Sequence, residues 1–313
     1  MSTIKNYLSL VKFSHTIFAL PFALIGFSLS MRLVPIIAWK LPTAFQGWHT
    51  TIQGPYSAVP ETVGQTVIRL LLVLACMITA RSAAMAFNRY LDRSFDAKNP
   101  RTAIREIPAG IISANRALIF TIVNCVLFIT ATFFINRICF FLSPVALFVI
   151  LFYSYTKRFT ALCHLVLGLG LSLAPIGAYL AVTGRFDILP ILFSFTVLFW
   201  VSGFDIIYAL QDVDFDRSQQ LHSIPAALGK KNALLVSELL HLLAAACVLS
   251  AGLYGHFGWL YWVGVAVFVG MLIYQHSIVK PDDLRRVNLA FMTANGIASV
   301  VFAVFVIADL FWR

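Results

Sequence analysis

Nine apolar stretches, each close to 20 residues long, dominate this chain and restrict its fold more than any other feature. They run near 17–37, 67–87, 118–136, 138–155, 162–183, 188–210, 233–254, 259–278 and 289–311. About 20 apolar residues in a helix span the roughly 30 Å hydrocarbon core of a bilayer. The third and fourth stretches adjoin at Asn136–Arg137, so eight is the competing count. Composition agrees with a membrane protein. Of the 313 residues, 60% are apolar and only 12% charged, against about 25% charged in an ordinary soluble domain. Mean hydropathy is +0.87, leaving too little polar surface to coat a globule in water. A coiled coil, a disordered tail and a nucleic-acid binder are excluded, despite the net charge of +10. The expected fold is an all-α polytopic bundle of nine transmembrane helices, forming one domain over 1–313.

Cys76, Cys125, Cys139, Cys163 and Cys247 all lie in or beside apolar runs without CxxC spacing, and read as small hydrophobes. Lys5 and Lys12 before the first run resemble a signal peptide. That run is too long for one and further spans follow, so it is expected to be an uncleaved first span. The segment 38–66, with Pro42, Pro55 and Pro60, reads as an irregular loop.

The cations set the orientation. Arg32, Lys40, Arg69, Arg137, Arg185 and Arg313 fall on one face and Arg81 lies inside the second run. The other sixteen of the 23 Lys and Arg cluster at the N-terminus and in alternate loops. The N-terminus is therefore expected in the cytoplasm, and the positive balance is mainly a topology signal.

The acidic residues are more informative. Asn88, Asp92 and Asp96 end the second run at four-residue spacing, which on a helix makes one oxygen-bearing stripe. Carboxylates crowded beside a bilayer call for a cation. Hard oxygen donors without His or thiolate favour Mg²⁺. A solvated helix end neutralised by Arg89 and Arg93 is the alternative for this cluster alone. Asp212 and Asp216 repeat the spacing after the sixth run, with Asp214 pointing away and expected to be solvated or to support the metal's ligands from behind. Two such clusters at one membrane face match what a Mg²⁺-bound diphosphate requires.

Tyr153, Lys157, Arg158, Arg101 and Arg105 lie nearby in sequence. The basic residues among them suit either that anion or lipid headgroups. Arg81 sits two helical turns deeper than Asn88, where a cation is a candidate receptor for a substrate carboxylate. His15, His164 and His222 lack partners at ligand spacing and are expected to be non-catalytic. Gly168, Gly170, Ala174 and Gly177 read as close helix packing.

These motifs, in order, resemble those of the UbiA superfamily of intramembrane prenyltransferases. Asn88-x₃-Asp92-x₃-Asp96 with Arg101-Thr102-x₂-Arg105-x₂-Pro108-x-Gly110 resembles its first signature. Tyr153-x₃-Lys157-Arg158-x-Thr160 resembles the middle motif. Asp205-x₂-Tyr208-Ala209-x₂-Asp212-x₃-Asp216, followed by Ser223-Ile224-Pro225 and Gly229, resembles the second acidic signature. The segment 12–23 and the run at 221–225 look closest to the 4-hydroxybenzoate polyprenyltransferases and their menaquinone-pathway relatives. Arg89 stands where Asp is common, Glu106 where Pro is usual and His222 where Lys is common.

The resemblance implies a nine-helix bundle in a bacterial inner membrane, with its active site on the cytoplasmic side. It implies Mg²⁺-dependent transfer of a polyprenyl group from polyprenyl diphosphate to the ring of 4-hydroxybenzoate or a similar aromatic acid in quinone synthesis. Asn88, Asp92, Asp96, Asp212 and Asp216 would hold the metal. Tyr153, Lys157 and Arg158 would be catalytic, with Lys157, Arg158 and Arg101 on the diphosphate and Arg81 on the acceptor. A dihydroxynaphthoate, porphyrin or lipid acceptor is the alternative within the fold. A cation-coupled transporter is the alternative outside it. No nucleic-acid partner is expected.

Overall fold

The computed structural model describes residues 3–11, 18–38 and 62–312. Lys12, His15, the start of the first apolar run and most of the 38–66 loop lie outside the described residues. No β-strand occurs among them, and the chain forms α1 (Thr3–Leu10), α2 (Leu20–Ala38), α3 (Val63–Asp96), α4 (Ala114–Ile135), α5 (Arg137–Thr156), α6 (Cys163–Thr183) and α7 (Ile188–Ala209). A 3₁₀ turn (Leu210–Asp212) then leads to α8 (Val213–Ser218), α9 (Ile224–Tyr254), α10 (Trp259–Ile278), a π-helix (Leu289–Ala294) and α11 (Asn295–Trp312). Eight helices among the described residues are long and apolar enough to cross a membrane, and α2 adds a further apolar helix of 19 residues. The protein is a multi-pass integral membrane protein.

Asn136 separates the third and fourth runs. It is fully extended (φ −167°, ψ 168°), and its side chain accepts from Cys139 N at 2.8 Å, capping α5. Its amide Nδ2 donates to Leu180 O of α6 at 2.8 Å. One buried side chain thus ends one helix, starts the next and ties both to a third.

The second run is longer than its apolar part. The 34-residue α3 begins with a capping box at Thr62 and Gln65 and continues to Asp96. At 1.5 Å per residue it is about 51 Å long, well beyond the hydrocarbon core. Its last turns carry the acidic stripe clear of the lipid. The seventh run also starts early, at Ile224 under a Ser223 cap, with a break at Gly229 (φ 77°, ψ 163°) that only glycine adopts freely.

The helices pack in a chain of neighbours, α3 on α4, α2 on α6, α6 on α7, α7 on α9 and α10 on α11. Trp200, Phe22, Phe268 and Phe302 form a fully buried aromatic centre with neighbouring ring centroids 5.2–6.3 Å apart across these helices. Outward faces remain apolar, with Phe141, Leu242 and Trp312 largely exposed, as a lipid solvent demands. Gly168 is required by close approach, since a Cβ there would meet Ser202 Oγ at 2.3 Å and Leu198 O at 2.5 Å. Gly177 differs from expectation, because nothing lies within 4 Å of its missing Cβ and it lines a cavity instead. Asp309 of α11 is buried and accepts from Gly258 N at 2.8 Å, capping α10 from a neighbouring helix. The five cysteines are free thiols.

Candidate active site

The long α3 delivers its stripe to the end of the bundle where α5, α7 and α8 also finish. Asn88 Nδ2 donates to Asp92 Oδ2 at 3.1 Å, so the four-residue spacing brings these two together as a helix should. Asp92 receives Arg158 Nη2 at 3.2 Å, and the same nitrogen donates to Leu91 O at 3.0 Å. Asp96 is buried and paired with Arg105 at 2.6 Å, while Thr102 Oγ1 donates to its carbonyl.

The second acidic segment closes on the first. Instead of extending α7, it passes through the 3₁₀ turn, and Asp212 sits at the junction with α8 (φ −108°, ψ 7°). Asp212 is gripped by Arg101 through Nε at 3.1 Å and through Nη2, and by Asn99 Nδ2 at 3.2 Å. Arg101 Nη1 also donates to Tyr208 Oη at 2.9 Å. Asp216 is completely buried, with Lys157 Nζ 2.7 Å from Oδ1 and Ser223 Oγ donating to Oδ2 at 2.9 Å. Asp214 is exposed, as expected from its position.

Four carboxylates therefore meet four cations, Asp92 with Arg158, Asp96 with Arg105, Asp212 with Arg101 and Asp216 with Lys157. These basic side chains turn onto carboxylates rather than outward. Burial works against the Lys157 ammonium, yet Asp216, by charge and hydrogen bond, outweighs it and holds the pKa above the ordinary lysine value. Arg101 is raised in the same way, the cost of burial being outweighed by the hydrogen bonds and charges of Asp212 and Tyr208 together. Among the described residues no three His, Cys, Asp or Glu side chains converge closely enough to hold an ion unaided.

A cavity of 380 Å³ opens among α3, α4, α5 and α6 below this ring. Its walls are apolar, with Met77, Phe128, Val149 and Leu171 among them, and Arg81 and Tyr153 are its two large polar residues. Tyr153 lies one turn before Lys157 on α5, and is within electrostatic reach of Arg81, Asp92 and Asp205. The cavity and the charged ring are thus contiguous.

Three features escaped the sequence. His164 Nδ1 lies 2.7 Å from Asp205 Oδ2, giving the intramembrane carboxylate a partner. The demand for one was visible, since a buried carboxylate in a span needs a counter-group. Asn99 and Tyr208 join the grip on Asp212 through contacts more than 100 residues apart. The unusual Arg89 is 4% exposed, with Nε and Nη1 unpartnered. It lies within reach of Asp96 and of the equally unusual Glu106, which accepts from Ser9 of α1. The two departures carry opposite charges and lie near each other, with Arg89 Nε and Nη1 and Glu106 Oε2 all lacking a hydrogen-bond partner.

The model of the UbiA prenyltransferase family matches residues 48–297, a span that holds both acidic signatures and the middle motif, with the segment 12–23 outside it. The chain belongs to the UbiA prenyltransferase family. Among curated relatives, the UbiA member named 4-hydroxybenzoate octaprenyltransferase from Tolumonas auensis is 30% identical over 241 residues, covering 75% of this chain and 82% of the relative. The protein of the same name from Nitrosospira multiformis is 30% identical over 243 residues, covering 78% and 83%. Of solved structures, the apo UbiA homologue of Aeropyrum pernix K1 is 28% identical, with a TM-score of 0.73 over 94% of this chain and 96% of the other. The Archaeoglobus fulgidus UbiA homologue bound to DMAPP and Mg²⁺ is 18% identical, with a TM-score of 0.70 over 97% and 99%. Both share the UbiA fold described here.

Proposed function

We propose that this UbiA-family enzyme transfers a polyprenyl group from polyprenyl diphosphate to the ring of 4-hydroxybenzoate, or a similar aromatic acid, in quinone biosynthesis. The observation that carries this reading is the ring of four carboxylate–cation pairs at the mouth of an apolar cavity with Arg81 on its wall. The names of the two curated relatives support the acceptor. The reading takes residues 1–313 as one domain of nine spans in a bacterial inner membrane, with the N-terminus and the site on the cytoplasmic side.

The residues fit Mg²⁺. The donors are hard oxygens only, and Asp96 Oδ2 is buried without a hydrogen-bond partner. Protein ligands are too few for a closed cage, as suits an ion that completes its shell with water and phosphate oxygens. Asn88, Asp92, Asp96, Asp212 and Asp216 would hold it, and when bound it supplies charge neutralisation on the diphosphate. The Archaeoglobus homologue that binds DMAPP and Mg²⁺ supports this cofactor.

The chain's own groups do the rest. The cations now paired with carboxylates are arranged to receive phosphate oxygens, the carboxylates being left to the metal. Lys157, Arg158 and Arg101 stabilise the charge that builds on the diphosphate as the C1–O bond breaks and its electron pair leaves with oxygen. Tyr153, at the boundary of ring and cavity, presents its face to the allylic carbon. Arg81 holds the acceptor carboxylate so that the ring carbon ortho to the hydroxyl faces C1. That carbon donates the electron pair of the new C–C bond, and loss of its proton restores aromaticity. The apolar cavity shelters the isoprenoid chain from water.

The test uses the protein in nanodiscs with Mg²⁺, a short polyprenyl diphosphate and radiolabelled 4-hydroxybenzoate. Mg²⁺-dependent label in the lipid extract is expected. Diphosphate release with a different aromatic acid alone would move the acceptor, and no release with any acceptor would overturn the reading.

A further inference from the structure

The last membrane helix does not begin as an α-helix. Residues Leu289–Ala294 form a π-helix that runs directly into α11. Wide turns of this kind are rare and concentrate at functional sites. No proline or glycine occurs in Leu289–Ala294 to force it. The support comes from Asn295, which is fully buried and uses all its side-chain capacity. Its Nδ2 donates to Ala290 O at 3.2 Å and Phe291 O at 2.9 Å, and its Oδ1 accepts from Trp200 Nε1 and Gln275 Nε2, both at 2.8 Å. Carbonyls loosened by a wide turn inside a bilayer must find donors, and this amide supplies them. With all four of its bonds made, the Asn295 amide is held in one orientation, while Gln275 Oε1 is left without a hydrogen-bond partner.

The turn decides where Phe291 points. Its ring lies 4.2 Å from that of Tyr208 and is boxed by Phe18 and Phe204 at 5.4 Å each. Tyr208 in turn accepts from Arg101 Nη1 at 2.9 Å and has the guanidinium carbon 5.2 Å over its ring. Arg101 grips Asp212. An unbroken series of contacts therefore leads from the middle of α7 and the last turn of α10 to the charged ring.

We propose that Asn295 and Phe291 are positioning residues for the diphosphate donor, resting on the function proposed above. The amide fixes the π-turn, the turn sets Phe291 against Tyr208, and Tyr208 holds Arg101 at the phosphate end of the site. Neither residue touches substrate.

The experiment measures KM for prenyl diphosphate and for the aromatic acid separately, in nanodiscs, for Asn295→Leu, Phe291→Leu, Tyr208→Phe and the two double variants with Tyr208→Phe. Each single variant is expected to raise the donor KM about tenfold, the weight of one hydrogen bond to a charged group, with the acceptor KM unchanged. Each double variant is expected to match Tyr208→Phe alone, because the residues act through one path. Phe291→Leu leaves the amide network intact and carries the test if Asn295→Leu does not fold. Equal rises in both KM values, or additive effects in the double variants, would overturn the positioning role while wild type remains active. A wild type that releases no diphosphate would overturn the functional reading and this inference with it.

Discussion

Replacing Lys157 by Met should separate what this side chain does for folding from what it does for turnover. Asp216 is wholly buried, and Lys157 Nζ at 2.7 Å is its cationic partner. Stripping the partner from a fully buried pair costs about 3–5 kcal/mol, whereas an exposed pair is worth about 0–1 kcal/mol. One third of the Lys157 side chain is exposed and Ser223 still donates to Asp216, so about 2 kcal/mol is expected. In thermal unfolding followed by tryptophan fluorescence, that is a drop of roughly 4–8 °C. Adding Asp216→Asn removes the stranded charge and should restore most of the loss. Turnover should not return, since loss of one positioned donor to a developing oxyanion costs about 10²–10³ in kcat. The sign of the pH effect follows from the raised Lys157 pKa. The pair's contribution is fully present below the unfolded lysine value, about 10.4, and is lost only as pH rises through the higher folded value. The stability difference between Lys157→Met and wild type should therefore hold level at pH 8 to 9 and shrink toward lower pH, where protonation of the stranded Asp216 relieves the penalty. A Lys157→Met protein as stable as wild type, or one left destabilised after Asp216→Asn, would refute the reasoning.

Other outcomes follow from the same geometry. Asp92→Ala and Asp212→Ala should each abolish Mg²⁺-dependent diphosphate release while the protein still elutes as a folded species in detergent; full activity in either would remove it from the metal site. Arg81→Ala should raise the acceptor KM with the donor KM unchanged, measured by varying each substrate in turn. Asp309→Ala should lower the unfolding midpoint by an amount matching about 1 kcal/mol, the weight of one helix cap, without altering either KM. Gly168→Val should fail to accumulate in membranes, because the added carbons fall where Ser202 Oγ and the Leu198 carbonyl already sit.

Much of this architecture is legible in the chain because the bilayer imposes simple rules. The apolar runs mark their helices, and Asn136 marks the joint between two of them, since a polar residue between two apolar runs has to cap something. The carboxylate stripe was readable from the helical period alone. What the sequence hides is pairing across distance. Arg89 and Glu106 each look anomalous in isolation, and only the folded loop after α3 shows that the two opposite charges lie near each other. His164 and Asp205 are 41 positions apart and on different helices. The break at Asp212 was also hidden, because Leu210–Asp212 contains neither Pro nor Gly. The π-turn before Asn295 is silent for the same reason.

The unbroken length of α3 has a mechanical consequence. Arg81 and Asp92, which the proposed reaction assigns to the acceptor and to the metal-bound donor, lie eleven residues apart on one helix, about 16 Å along its axis. A thicker or thinner membrane tilts such a rod but does not stretch it. On the proposed reading, the spacing between the two substrates' anchor points would be insulated from the elasticity of the surrounding lipid, and the helix would serve as the enzyme's internal ruler.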